Sequence, residues 1–172
     1  MCIVIDTNTL TCVFVRSSAK HNEFKPVLDW IEFGRGQIVF GGTKYLQEIK
    51  GRYHGLFVEL RRAKKAITVS SDRVDLETDK VGLLVQDSNF NDQHMVALLI
   101  VSGCKLICSD DKEAYPFFTH KKFFNRSRDK PKIYRGASNE KLLIDKNIAA
   151  ICRPASVSTK AQRNWIQRLL RK

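Results

Sequence analysis

Short apolar runs alternate along this chain with longer segments of helical period. Residues 2–5, Cys-Ile-Val-Ile, are too few for a helix and rich in branched side chains, so they predict a buried strand that ends at Asp6. Asp6, Thr7, Asn8 and Thr9 supply N-cap chemistry for a helix over 10–15. The next helix is predicted over 23–33: Pro26 is tolerated in its first turn, Val27, Trp30, Ile31 and Phe33 give it one apolar face, and Gly34 and Gly36 stop it. Residues 37–40 form a second strand, followed by Gly41-Gly42-Thr43 as turn and cap for a helix from Lys44 to about Lys50. Helical patterns follow over 56–66, with Arg61, Arg62, Lys64 and Lys65 as a basic face, and over 71–85, interrupted by Gly82, with a strand over 67–69 between them.

The segment 89–102 is apolar nearly all the way round, so it predicts a helix packed on most sides, and Gly103 supplies its stop. Residues 105–108 then form a strand ending at Ser109-Asp110-Asp111. Strands alternating with helices at this spacing argue an α/β fold with a mainly parallel central sheet between two helix layers. Beyond Asp111 the pattern weakens. Phe117-Phe118 and Phe123-Phe124 alternate with Lys121, Lys122, Arg126, Arg128 and Lys130, then a small strand is predicted over 132–134 and a short helix over 139–145. Residues 157–170 place Val157, Ala161, Trp165, Ile166 and Leu169 on one helical face, an amphipathic helix that could dock on its own domain, a second copy or RNA. The chain is thus divided into a domain over 1–136 and a basic C-terminal extension over 137–172.

A length of 172 residues suits one compact domain plus a tail. The longest apolar run, Met95 to Val101, is far below a membrane span, and Asp6 interrupts the N-terminal apolar stretch too soon for a signal peptide, so no membrane partner is expected. Cys2, Cys12, Cys104, Cys108 and Cys152 make an odd count without Cys-x-x-Cys spacing. That fits neither a secreted disulfide framework nor a zinc ribbon, and it points to small buried hydrophobes in a reducing cytoplasm. Charge changes the picture more. Residues 1–111 hold equal numbers of basic and acidic side chains, so the whole net charge of +12 belongs to residues 112–172. Such a one-sided field concentrates polyanions, nucleic acid foremost.

In a parallel α/β sheet, functional groups gather at the carboxyl ends of the strands. Asp6 ends the first strand, Asp111 follows the fourth, Asp92 opens the helix feeding that strand, and Glu48 sits on the helix after the second. Carboxylates brought together raise one another's pKa unless a cation neutralises them. An all-oxygen set without Cys or His at ligand spacing favours Mg²⁺ or Mn²⁺ over zinc, in the manner of two-metal phosphoryl chemistry.

Four stretches carry a resemblance. They are Ile3-Val-Ile-Asp-Thr-Asn8, Lys44-Tyr-Leu-Gln-Glu48, Asn91-Asp-Gln-His-Met-Val-Ala-Leu98 and Ser102-Gly-Cys-Lys-Leu-Ile-Cys-Ser-Asp-Asp111. In this order and context they resemble the motif set of the PIN-domain family, over about residues 1–125. The resemblance implies a three-layer α/β/α nuclease dependent on one or two Mg²⁺ or Mn²⁺ ions, with Asp6, Glu48, Asp92 and Asp111 as its acidic positions. Water activated by metal would attack phosphorus in line, leaving a 3′-hydroxyl and a 5′-phosphate. Thr7, Asn8 and Ser109 match polar positions that orient carboxylates or a bound water. A Ser two residues before the acid selects Asp111; a slide by one would select Asp110, which stays a further metal-ligand candidate. RNA is the expected substrate. Many relatives are toxins of bacterial toxin–antitoxin pairs, so an antitoxin or regulatory partner and a homodimer are further expectations of the resemblance.

Singly, each acid has a plainer reading: Asp6 and Asp92 as helix caps, Glu48 as a solvated helix residue, Asp110-Asp111 as a turn. Only their conjunction at strand ends favours a metal site. His94, two residues from Asp92, is expected to point away from it and to be structural; His21, His54 and His120 have no partners at useful spacing. Lys121, Lys122, Arg126 and Arg128 closely follow the acids and are candidate phosphate contacts, while the Phe pairs could stack on bases. The competing class is a non-catalytic nucleic-acid-binding protein that keeps the scaffold. A phosphotransferase would want an acid where Asn8 stands, and a dinucleotide enzyme a glycine-rich turn after the first strand.

Overall fold

The computed structural model describes residues 2–144 and 149–170. Five strands, β1 (Cys2–Ile5), β2 (Gln37–Gly41), β3 (Ala66–Val69), β4 (Leu106–Cys108) and β5 (Lys132–Tyr134), form one sheet in the order β3-β2-β1-β4-β5. Every pairing is parallel. The runs that read as strands do so for a physical reason: β1 and β4 are buried at every position, which demands continuous apolar sequence rather than alternation.

Eight helices connect and cover these strands among the described residues: α1 (Leu10–Phe14), α2 (His21–Glu32), α3 (Thr43–Glu48), α4 (Arg52–Arg62), α5 (Ser71–Leu84), α6 (Gln93–Ser102), α7 (Tyr115–Phe118) and α8 (Lys160–Leu170). The arrangement is an α/β fold consistent with a three-layer sandwich. Helix α6 packs on β1, β2 and β3 and pairs with α5, so His94 to Leu99 are all buried; Gly103, at φ 65°, ends it in the left-handed conformation. On α4, Phe57 stacks on Phe40 of β2 at 5.2 Å and meets Phe14 of α1 edge-on at 6.1 Å.

Several elements differ from the sequence pattern. The helix expected over 56–66 runs instead from Arg52 to Arg62, because Lys64 takes a positive φ of 57° and Ala66 already belongs to β3. Lys65 is therefore no solvated helix residue; it is buried, and its ammonium donates to the carbonyls of Gly34 at 2.8 Å and Ser156 at 3.4 Å. Helix α6 starts four residues later than expected, and α7 was not foreseen. The short helix expected over 139–145 is a 3-10 segment, Ala137–Leu142; its last residue, Asp145, lies outside the described residues.

The C-terminal residues 149–170, expected to form an appended extension, pack across the amino-terminal edge of the sheet and along α2. Ser158 donates its backbone N–H to the Gly34 carbonyl at 3.3 Å, Gln162 bonds the Ala63 carbonyl at 2.7 Å, Gln167 bonds Glu32 at 2.5 Å, and Ile166 of α8 is fully buried. The same path corrects the cysteine reading: Cys2 and Cys152 are joined in a disulfide, 150 residues apart in sequence with Cα atoms 6.1 Å apart. The odd count concealed a long-range pair, so the cysteines no longer argue for a reducing compartment. Cys104 and Cys108 are buried thiols, as small hydrophobes are. No helix among the described residues is long and apolar enough to cross a membrane.

Candidate functional site

The strand order reverses direction at β1, with β2 and β3 on one side and β4 and β5 on the other. At such a point the loops leaving adjacent strands part, and a crevice opens at their carboxyl ends. Asp6 stands there: its N–H continues the ladder by bonding the Cys108 carbonyl at 2.9 Å, and its side chain is buried. Asp6 does act as a cap, accepting from the Asn8 N–H at 3.4 Å over the turn Thr7–Thr9, but that occupies one oxygen. The other accepts from the Ser109 hydroxyl at 2.7 Å.

Ser109 also ties in the next acid, since its Oγ accepts the Asp111 N–H at 3.1 Å. The Asp111 carboxylate, half-buried, accepts from the Glu113 N–H at 2.9 Å. Asp110 turns elsewhere and forms an ion pair with Lys20. Of the two neighbours, Asp111 is the one whose charge reaches both Asp6 and Asp92.

Glu48 arrives on α3. Gly42, at φ 87°, starts that helix where a Cβ would lie 2.6 Å from Val74 Cγ1, so only glycine fits the turn. Thr43 then bonds Asp75 through its N–H at 2.9 Å, and the buried Tyr45 hydroxyl donates to the Ile5 carbonyl at 2.7 Å. Tyr45 thereby fixes α3 against the end of β1, three residues before Glu48. The Glu48 Oε2 accepts from Thr7 Oγ1 at 2.8 Å and faces His94 Nε2 at 3.2 Å. Asp92 precedes α6, yet its side chain makes no capping hydrogen bond, so the plain cap reading does not account for it.

The acids sense one another. Burial pushes Asp6 up from 3.8 to about 6; the Ser109 hydrogen bond opposes this, and the charges of Asp92 and Asp111 add to it. Burial likewise raises Asp92, with Asp111 and Glu48 adding and His94 and Lys44 opposing. All four predicted acids thus lie at one sheet edge within electrostatic reach. They line it loosely: among the described residues no three His, Cys, Asp or Glu side chains form a ready cluster for a metal ion.

Two residues of this edge escaped the sequence reading. His94, expected to point away from Asp92 and to be structural, lies within electrostatic reach of Asp92 and meets Glu48 coming from α3, a contact no spacing rule within α6 could show. Lys44, four residues before Glu48 on the same helix, donates to the Asn91 carbonyl at 2.8 Å beside Asp92; the i,i+4 spacing was a usable signal. Of the basic residues chosen for their closeness in sequence, Arg126 and Arg128 lie elsewhere. Lys105, at the amino-terminal end of β4, bonds the Arg128 carbonyl at 2.8 Å, which carries Arg126 and Arg128 to the edge opposite the acids; Lys122 bonds the Leu84 carbonyl at the end of α5, with Lys121 beside it. Of the Phe pairs, Phe117, Phe118 and Phe124 are buried, and Phe117 stacks on Phe90 at 4.4 Å, so they serve packing.

No family model matches the chain, and no curated protein or solved structure matches it either.

Proposed function

We propose that this protein is a divalent-metal-dependent nuclease of PIN-like design, an endoribonuclease that hydrolyses phosphodiester bonds. The observation that carries the reading is the meeting of Asp6, Glu48, Asp92 and Asp111 at the carboxyl edge of β1 and β4, with Asp6 and Asp92 both raised by burial and by neighbouring acids. A buried Asp6 beside the half-buried Asp92 and Asp111 is a poor structural choice without a compensating charge. Their oxygen-only chemistry fits a hard cation, Mg²⁺ or Mn²⁺.

Asp6, Glu48, Asp92 and Asp111 would hold one or two such ions. A hard divalent ion there supplies Lewis acidity and neutralises charge building on the phosphate. The chain's own groups do the rest. Ser109 keeps Asp6 and Asp111 in one register; Thr7 and His94 aim the Glu48 oxygen; Lys44 offsets negative charge beside Asp92. The excess of basic residues beyond Asp111 raises the local concentration of the polyanionic substrate.

The experiment is cleavage of labelled RNA with Mn²⁺ by the wild type and by Asp92→Asn. The variant is expected to lose activity on the order of a hundredfold or more, as when one charge-stabilising group is removed; equal rates would overturn the reading. One observation favours the second reading, a non-catalytic RNA-binding protein on the same scaffold: the acids form no ready cluster of three. Salt-sensitive RNA binding without any heat stabilisation by Mn²⁺ would select it.

A further inference from the structure

Beside the acids, across Tyr115, lies a cavity of about 440 Å³ lined by Lys112, Tyr115, Pro116, Thr119, Ile133 and Arg135. Lys112 directly follows Asp111, and Arg135 directly follows β5, so the cavity opens at the same carboxyl edge of the sheet as the acids. Tyr115 is the shared wall. Its hydroxyl donates to the Ser109 carbonyl at 3.0 Å, and the hydroxyl of that same serine holds Asp6.

The lining is chemically mixed in a particular way. Lys112 and Arg135 are exposed, and among the described residues neither forms an ion pair; the Arg135 guanidinium instead rests 5.9 Å from the centre of the Tyr115 ring. Two free cations suit a phosphate. The guanidinium plane, the ring, Pro116 and Ile133 suit the flat apolar face of a base, and the Thr119 hydroxyl, which donates to the Tyr115 carbonyl at 3.2 Å, keeps its lone pairs to accept from a sugar or a base edge.

We infer that this cavity is a nucleotide subsite: it holds a phosphate and base of single-stranded nucleic acid next to the bond that the acids address. The inference rests on the nuclease reading for its place in the reaction, but binding alone is enough to test it. The strands of a duplex have no free base to offer, so the subsite selects single strands.

The test is fluorescence anisotropy of a labelled oligouridylate in EDTA over a range of salt, comparing wild type, Lys112→Ala/Arg135→Ala, and Arg126→Ala/Arg128→Ala at the opposite edge. All four positions are exposed, so folding is retained and can be checked by melting. The first variant is expected to bind about tenfold or more weakly, and the slope of log affinity against log salt should fall by about 0.7 for each cation removed. The second variant should lose less. Unchanged affinity in the first variant, or a loss confined to the second, overturns the subsite. Cleavage in Mn²⁺, run alongside, separates the two readings: cleavage that ignores Lys112 and Arg135 sinks the subsite alone, and binding through them without cleavage sinks the nuclease alone. A wild type that neither binds nor cleaves sinks both.

Discussion

The Ser109 hydroxyl donates to Asp6 Oδ2 at 2.7 Å, a bond between the ends of two adjacent strands that lie 103 residues apart in sequence. With the weaker bond from the Asn8 N–H, it favours the charged form of a carboxylate that burial disfavours, and burial wins.

In the folded protein Asp6 titrates at about 6, against 3.8 for the free group. Between those values the folded state keeps a proton that the unfolded chain has lost. Stability linked to Asp6 is therefore fully present below 3.8 and is lost as pH rises through about 6, on the order of 3 kcal/mol in all. Asp6→Asn should be more stable than wild type above pH 6, by about 1–2 kcal/mol because the amide keeps only part of the hydrogen bonding. That advantage should vanish at acid pH. Urea unfolding in EDTA across this range checks it; an advantage independent of pH would show that Asp6 does not carry the shift.

The acids were legible in the sequence because Asp6 and Asp111 follow apolar strand runs and Asp92 and Glu48 stand on or before helices that adjoin such strands, and a parallel sheet brings strand ends together whatever their separation in the chain. Asp6 and Asp111 are the clearest case. What stayed hidden was contact between elements: His94 against Glu48, Tyr115 against Ser109, Cys2 against Cys152. Helical and strand periods describe one element at a time, so they place a side chain on a face without saying what the face meets. The place of Arg126 and Arg128 stayed hidden for the related reason that the chain leaves Asp111 and descends to the opposite edge before β5 begins.

Lys65 is a buried ammonium whose hydrogen bonds close the extension onto the sheet edge, and burial lowers its pKa to about 8. Lys65→Met should cost about 2 kcal/mol, since buried carbonyls lose a charged donor. The cost should fall on the junction with the extension: limited proteolysis near Ser156 should quicken while RNA cleavage per folded molecule is unchanged. Unaltered proteolysis would remove the role of Lys65 as a fastener.

The Cys2–Cys152 bridge fixes the same junction covalently and closes a loop of most of the chain. Cys152→Ser is expected to lose about 2–4 kcal/mol of stability, as long closed loops do. The wild type should lose a comparable amount on adding reductant, and Cys152→Ser should not respond. A wild type indifferent to reductant in thermal melts would show the bridge to be without weight.

His94 is buried, and burial lowers its pKa, so the ring is neutral. A carboxylate cannot donate, so the proton in the contact with Glu48 must lie on Nε2, while Nδ1 is buried without a partner among the described residues. One ring nitrogen thus points the Glu48 oxygen that Thr7 also holds. Outer residues that orient a ligand typically change metal affinity by about 10–100-fold when removed. His94→Leu should therefore raise the Mn²⁺ concentration needed for half-maximal heat stabilisation by about that factor, with little change in melting temperature in EDTA. His94→Gln, whose amide can still donate to Glu48, should recover part of the affinity. If leucine and glutamine behave alike, or if the loss appears equally in EDTA, His94 is packing only, and the Glu48 carboxylate is aimed by Thr7 alone.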